Sequence, residues 1–286
     1  MEIIRDQGES DPVWYYRRGY SMWYLDGREE ESETALLKAK ELAKEGEPVA
    51  EWCDELLEMI EDWRNNDESE EDSEEVDYNP EVYTKEEMDL VEAHIAAHFG
   101  KYDNVYHELV SPDIHVDICV IEPTPERNYY TLVTIGMGAH RMNVPEELRD
   151  NKLNRAEVLF TLPPDWDINN EDEKWYWPLR WLKILARLPV EQDTWLAYGH
   201  TVPSGGPLAE NNEFCCVMMT MPYHFGQESA ACQMPDGDEI NFYQVIPLYE
   251  SEMNFKIANS AEKLENLFPD DFDMVVDVNR ANVVEN

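Results

Sequence analysis

Lysine and arginine are scarce in this chain. Only 22 stand against 63 aspartates and glutamates among 286 residues, a formal net charge of −41, and residues 188–255 contain neither. A surface of that sign repels phosphate backbones and anionic headgroups, which excludes a basic groove for nucleic acid and a polybasic membrane patch. No run of about 18 apolar residues occurs, so no membrane-spanning helix is expected. The opening MEIIRDQGES has neither the basic n-region nor the apolar h-region of a secretory signal. Cysteine is sparse and odd in number (Cys53, Cys119, Cys215, Cys216 and Cys232), and no CxxC occurs. That is no disulfide framework, and a reduced, cytoplasmic setting is expected.

Catalytic signatures are missing as well. The PSGGP loop at 203–207 lacks the lysine and spacing of a phosphate-binding loop, and HIAAH at 94–98 lacks the glutamate of a zinc-protease helix. What is present is core material: 43% hydrophobic and 11% aromatic residues, enough to fold one large domain or two unequal ones. The carboxylate excess serves solubility or salt adaptation, and it would also steer the protein onto a basic partner.

Along the chain, residues 13–64 read as helical. Asp11-Pro12 is a cap followed by proline at the first helical position, opening an aromatic helix over 13–25. A second helix over 29–44 would turn Leu36, Leu37, Ala39, Leu42 and Ala43 inward. A third, over 49–64, places Val49, Trp52, Leu56, Met59, Ile60 and Trp63 on one stripe. The trio resembles a tetratricopeptide-type hairpin followed by a packing helix, through its aromatic opening, Gly19, Gly27, Leu36 and Ala39. The two glycines are spaced eight apart where the repeat has seven. Residues 65–77, NNDESEEDSEEVD, hold eight acids and no base and read as a solvated linker. The expected organisation is therefore a helical segment over 1–64, an acidic linker over 65–77 and a larger domain over 78–286. Residues 1–77 carry 26 acids and 8 bases, the remainder 37 and 14, so the shorter part is the more densely charged.

The larger domain opens on a capping box, Thr84 with Glu87, ahead of a helix to Phe99 stopped by Gly100. Strand-like runs follow at 105–110, 114–122, 129–137 and 156–162. Then come a tryptophan-rich helix over 174–188 interrupted by Pro178, strands at 195–202, 214–221 and 240–247, and a helix near 260–268. Strands in runs, with helices between and at the ends, predict an α+β (mixed α/β) sheet protein.

Residues 114–122 carry the chemistry of most interest. Alternation puts Ile114, Val116, Ile118 and Val120 on one face and His115, Asp117 and Cys119 on the other. A His–Asp–Cys row suggests a nucleophile, but side chains two apart on a strand stand about 6.5–7 Å apart at their bases, so a polar face meeting a partner is the better reading. His94 and His98 share a helix face at metal-ligand spacing with no third ligand nearby in sequence, and they read as a structural pair. Cys215 and Cys216 read as structural thiols. Trp166, Trp175, Trp177, Trp181 and Trp195 read as core between helix and sheet.

Seven stretches, in order, resemble a bacterial Suppressor of fused domain: HIAAHFG (94–100), HVDICVIEPTPERNYYTLVTIGMG (115–138), RAEVLFTLPPDW (155–166), WPLRWLKILARLP (177–189), TWLAYGHTVPSGGPL (194–208), FCCVMMTMPYHFG (214–226) and INFYQVIPLYESEMNFK (240–256). The resemblance runs from Tyr83 to about Val276, about two-thirds of the chain. The resemblance implies a mixed sheet flanked by helices and no known catalytic activity. The animal member of that family binds and restrains a transcription factor through an extended peptide. Bacterial members are proposed as immunity proteins that neutralise toxins, and this chain has no room for the animal protein's second domain. The expectation is a non-enzymatic module whose partner is another protein, a basic toxin, with no cofactor and no metal. The family brings no agreed binding motif, so the partner-binding candidates are His115, Asp117 and Glu122. Two alternatives stand beside it: an acid–base or metal enzyme using His115, Asp117 and Glu122 with His200, and a peptide-binding adaptor built on the N-terminal helices.

Overall fold

The computed structural model describes residues 12, 15–16, 29–44, 49–50, 52–54, 56–57, 60, 80–102, 104–108 and 113–285. The chain divides into two compact units, Met1–Asp77 and Tyr78–Asn286. Most of the expected aromatic helix over 13–25, with Gly19 and Gly27, and the acidic stretch over 65–77 lie outside the described residues.

In the first unit, helix α1 (Glu29–Leu42) buries Leu36 and Ala39 against Val49, Cys53, Leu56 and Ile60. Two sequence expectations are corrected here. Leu37 is 53% exposed, and Trp52 is 43% exposed with its ring 5.6 Å from that of Tyr16. Cys53 takes the inward place expected for Trp52, because at about 100° per residue Cys53 lies about 40° from the line of Val49, Leu56 and Ile60 and Trp52 about 60° to the other side.

The second unit begins with α2 (Lys85–His98). The expected capping box is present: the Glu87 carboxylate accepts the Thr84 backbone N–H at 2.9 Å, and Thr84 Oγ1 accepts the Glu87 N–H at 3.3 Å. Its C-terminal carbonyls, His98 and Phe99, accept from Arg127 Nη1 at 2.8 and 2.6 Å. The strands are β1 (Asn104–Tyr106), β2 (Asp117–Ile121), β3 (Tyr130–Ile135), β4 (Ala156–Leu162), then helix α3 (Glu173–Glu191), β5 (Thr201–Pro203), β6 (Cys216–Thr220), β7 (Ala231–Gln233) and β8 (Glu239–Leu248). Helices α4 (Glu250–Ala258) and α5 (Ala261–Glu265) follow.

All eight strands form one mixed sheet in the order β1-β2-β3-β4-β8-β6-β5, with β7 alongside β8. Every pairing is antiparallel except β4 with β8, where Ala156 opposes Asn241 and Leu159 opposes Gln244. Both faces are covered, which is why β4 reads as an unbroken buried run rather than an alternating one. On one face α3 brings Trp177, Trp181, Leu182 and Leu185 onto Ile118, Val120, Val158, Phe160 and Tyr243. On the other, α2 brings Val91, Ile95 and Phe99 onto Cys119, Ile121, Leu159 and Phe242, while Ala261 and Leu264 of α5 cover Cys216, Met218, Ile246 and Leu248. Each fully buried Leu, Ile, Val or Phe contributes about 1.5–3 kcal/mol to this three-layer packing. Trp166, Trp177 and Trp181 are buried in the α3 face, with Trp175 and Trp195 packed against it, as core rather than as a stacking platform.

Several elements differ from the sequence reading, three of them with a bearing on the fold. Helix α3 is not interrupted at Pro178. The Lys174 carbonyl, which loses its helical donor because proline has no N–H, accepts instead from Asn211 Nδ2 at 3.2 Å. The expected strand over 195–202 shrinks to Thr201–Pro203, because Gly199 (φ +78°) turns the chain just before it. Strand β7 and helix α4 add elements the pattern did not suggest. Among the described residues, no helix is long and apolar enough to cross a membrane.

Candidate functional site

Strand β2 alternates as the sequence requires, with Ile118 and Val120 facing the α3 layer and Cys119 and Ile121 facing the α2 layer. At the N-terminal end of the strand His115 and Asp117 do lean together, with His115 Nε2 3.3 Å from Asp117 Oδ1. A second imidazole, His107 Nδ1, lies 2.9 Å from Asp117 Oδ2, and the Glu108 backbone N–H donates to Asp117 Oδ1 at 2.9 Å. Arg187 of α3 braces this end of the strand. It pairs with Glu108 Oε1 at 2.5 Å and with Asp113, while Glu108 Oε2 accepts the Val116 N–H at 3.1 Å. The result is a half-buried cluster of alternating charge at one end of β2, in which every carboxylate has a stated partner.

Cys119 does not join it. The thiol is fully buried and burial raises its pKa to about 12, so it stays protonated at neutral pH. The His–Asp–Cys row is therefore a pair of polar groups followed by a core thiol.

Glu122 lies past the opposite end of β2, five residues on from Asp117, about 16 Å along the strand at about 3.3 Å per residue. Its Oε1 accepts from Asn104 Nδ2 at 3.1 Å. There it lines a cleft of about 700 Å³ with a floor of Phe99, Val120 and Ile121 and a rim that includes Lys101, Arg127 and Tyr129. His200 belongs to a third place. It precedes β5, five strand spacings from β2, about 24 Å across the sheet at about 4.8 Å per strand. Its Nδ1 donates to the Trp195 carbonyl at 3.2 Å, and burial lowers its pKa. The four residues of the acid–base alternative therefore do not share a site.

His94 and His98 stand ring to ring at 4.4 Å, but His94 stacks on Phe242 at 4.6 Å and donates through Nε2 to the Ser229 carbonyl at 3.0 Å. Burial lowers the His94 pKa, and the neighbouring His98 lowers it further. The pair joins α2 to the segment around Ser229. Among the described residues, no group of three His, Cys, Asp or Glu is gathered to hold a metal ion.

The most deeply held polar groups are ones the sequence reading passed over. Glu157, on the α2 face of β4, is fully buried. Oε1 accepts from Tyr83 Oη at 2.6 Å, the Gly136 N–H at 2.9 Å and the Gly138 N–H at 3.1 Å, and Oε2 accepts from Thr134 Oγ1 at 2.6 Å. Burial raises the carboxyl's pKa, and these four donors offset only part of that shift. Nearby Arg155 donates to the Gly138 carbonyl at 2.6 Å and pairs with Glu87 at 2.7 Å. At the C-terminus, buried Glu252 pairs with Arg280 at 2.5 Å, and Arg280 also lies over the rings of Phe214, Tyr249 and Phe268 at 5.0–5.1 Å. An acid inside AEVLFTL was a visible signal for Glu157, whereas nothing local marks Arg280.

These contacts also show where part of the positive charge goes. Arg127, Arg155, Arg187 and Arg280 are turned onto internal carboxylates and carbonyls. Arg141 is held by Asp236 and Asp238, and Lys152 by Glu239 at 2.9 Å. These six bases are engaged by acids and carbonyls of the fold, whereas Lys85, Lys101, Arg149 and Lys263 are exposed.

Comparison with known proteins gives a consistent set of likenesses. A family model described as Suppressor of fused protein (SUFU) matches residues 112–281. The uncharacterized protein UU111 of Ureaplasma parvum is 26% identical over 206 residues, 71% of this chain and 98% of that one. Among solved structures, a SUFU (suppressor of fused protein) homologue from Neisseria gonorrhoeae aligns with a TM-score of 0.49 and 20% identity, over 68% of this chain and 96% of that one. The Sufu–Fu complex contains a chain similar at a TM-score of 0.51 and 14% identity, over 72% of this chain and 94% of that one. Drosophila Suppressor of Fused aligns at 0.47 and 13%, over 72% of this chain and 52% of its own.

Proposed function

The chain belongs to the Suppressor of fused family, and from that membership we propose that it is a non-enzymatic protein-binding module, an inhibitor of the immunity type that neutralises a basic toxin. The observation that carries the reading is the charge: 63 acids against 22 bases, a net charge of −41, with Arg155, Arg187 and Arg280 turned onto carboxylates within the fold. A relative is seen in the Sufu–Fu complex, which supports a binding role for the fold. Toxins that act on nucleic acid carry basic clefts. An acidic binder would be steered onto one, with association rates rising towards about 10⁸–10⁹ M⁻¹s⁻¹ at low salt. The Asp117 cluster and the Glu122 cleft offer this partner two separate contacts at the two ends of β2, with His115 beside the first.

The test is affinity capture from the native host's lysate with the full chain, the partner identified and its dissociation constant measured across a salt series. A stoichiometric basic partner whose affinity falls at least tenfold between about 50 and about 500 mM salt supports the reading. An affinity insensitive to salt overturns its electrostatic part. One equivalent of tightly held metal with no protein partner overturns the non-enzymatic assignment.

A further inference from the structure

The more exposed of two exposed tyrosines in the second unit sits at a sharp turn. Tyr223 opens a 3-10 turn (Tyr223–Phe225) between β6 and β7 and is 59% exposed. The turn points its residues in two directions. His224 and Phe225 pack edge-on to Tyr129 at 5.7 and 6.1 Å, and Phe225 also meets Phe99 at 4.9 Å, so both pack behind two residues that line the Glu122 cleft. Tyr223 faces the other way and meets the phenol of Tyr198, itself 37% exposed.

Beneath these two rings stands α5. Tyr198 Oη donates to Glu265 Oε2 at 2.8 Å, and Glu265 Oε1 accepts from the hydroxyl of Thr220 in β6. Glu262, one turn earlier on α5, is exposed. Glu265 and Glu262 both add to the burial that raises the Tyr198 and Tyr223 phenols, so the nearest strong charges at both rings are negative. The arrangement is held rigidly. A side chain at Gly199 would press on Ala261 at 3.1 Å, so the Tyr198 loop sits directly on α5, and the Gly199 N–H is anchored on the Met219 carbonyl at 2.8 Å. Tyr198 and Tyr223 both fall within residues 188–255, which contain no lysine or arginine, and the one base of α5 is Lys263, between the two glutamates in sequence.

We propose that Tyr198, Tyr223, Glu262 and Glu265 form a docking surface for an arginine-bearing segment of a protein partner. Two electron-rich ring faces beside two carboxylates fit a planar guanidinium, which can stack on a tyrosine while its N–H fork meets a carboxylate. A lysine ammonium, more strongly hydrated and without a flat face, fits less well. Exposed aromatics on a rigid support, rimmed by charge, are also the composition expected of an interface centre. The inference deepens the protein-binding reading by naming the surface and the side chain it takes.

The experiment uses the full chain and two fluorescein-labelled probes, an arginine hexapeptide and a lysine hexapeptide, with binding followed by fluorescence anisotropy at moderate salt. The arginine probe should bind at least about fivefold more tightly than the lysine probe. Tyr223→Ala, at a side chain exposed enough to spare the fold, should weaken the arginine probe about five- to tenfold and the lysine probe less than twofold. Glu262→Gln should weaken the arginine probe more than Glu191→Gln, a carboxylate at the end of α3. Equal affinity for the two probes, or Tyr223→Ala within twofold of the parent, overturns the proposal in favour of diffuse attraction by net charge. A captured partner that binds Tyr223→Ala as tightly as the parent also overturns this surface, and leaves the protein-binding reading standing. Failure of the parent to capture any partner bears on that reading alone.

Discussion

Replacing Glu157 by alanine should bring the second unit close to unfolding, whereas replacing it by glutamine should cost little. Four donors converge on this carboxylate: Tyr83 Oη, Thr134 Oγ1 and the Gly136 and Gly138 N–H groups. Alanine strands three of them. Thr134 alone keeps another acceptor, the Val158 carbonyl at 3.2 Å. A stranded buried donor costs about 1–3 kcal/mol, so the loss should reach about 4–6 kcal/mol, a large part of the about 5–15 kcal/mol that holds a domain together. Glutamine keeps an oxygen where three donors meet and places its NH₂ toward Thr134, whose hydroxyl can turn to the Val158 carbonyl. The expected loss is under about 1 kcal/mol. A pH dependence goes with it. Burial raises the Glu157 pKa, so the folded chain holds that proton more tightly than the unfolded chain does. The group favours folding at pH below the ordinary carboxylate range and withdraws that contribution as pH rises through its folded value. Relative to the parent, the glutamine variant should therefore compare best at neutral pH and lose ground as the solution is acidified. Urea unfolding of the full chain, followed by tryptophan fluorescence, measures all three proteins without adding salt. A glutamine variant as unstable as the alanine one, or an alanine variant within about 1 kcal/mol of the parent, would refute the reasoning.

Three further outcomes follow from the same structure. Gly136→Ala should abolish soluble expression or lower the melting temperature by more than about 6 °C, since Gly136 sits at φ +118° and an added Cβ would overlap the His115 carbonyl oxygen. Arg280→Ala should cost about 3–5 kcal/mol by leaving buried Glu252 uncompensated, and limited proteolysis should then cut the tail beyond Glu252 first. His94 has its pKa lowered in the fold, so its contribution is present above the ordinary imidazole value of about 6.5 and lost as pH falls below it. His94→Gln should flatten stability between about pH 6.5 and 5 relative to the parent, and parallel curves would count against the assignment.

The exposed aromatics show how far local pattern reaches. Tyr198 and Tyr223 lie 25 residues apart in sequence, and Glu265 lies far beyond both. They meet only because β5 and β6 pair, with Thr201 opposite Met218, and because α5 folds back over β6 and β8. Asp117 and Glu122 teach the reverse. Near neighbours in sequence and plausible partners on paper, they are carried to opposite ends of one strand, because a strand extends its chain by about 3.3 Å per residue.

Local physics alone determined several elements of this protein. The Thr84–Glu87 box fixes where α2 begins, because a side chain and a backbone N–H three residues apart can satisfy each other without help from the rest of the fold. Period-two alternation sends Ile118 and Val120 to one layer and Cys119 and Ile121 to the other, and a mostly apolar run sets β4 at Ala156–Leu162. Composition put the negative charge on the surface. Tertiary structure decided the rest. It continued α3 through Pro178 by lending Asn211 to an abandoned carbonyl, and turned Cys53 inward in place of Trp52. It also closed four donors around Glu157, and drew Arg280 back across the chain onto Glu252. Each of these depends on groups distant in sequence that gain their value only once water has been excluded between them. A buried charge or an unmade hydrogen bond is costly inside the fold and nearly free in the extended chain.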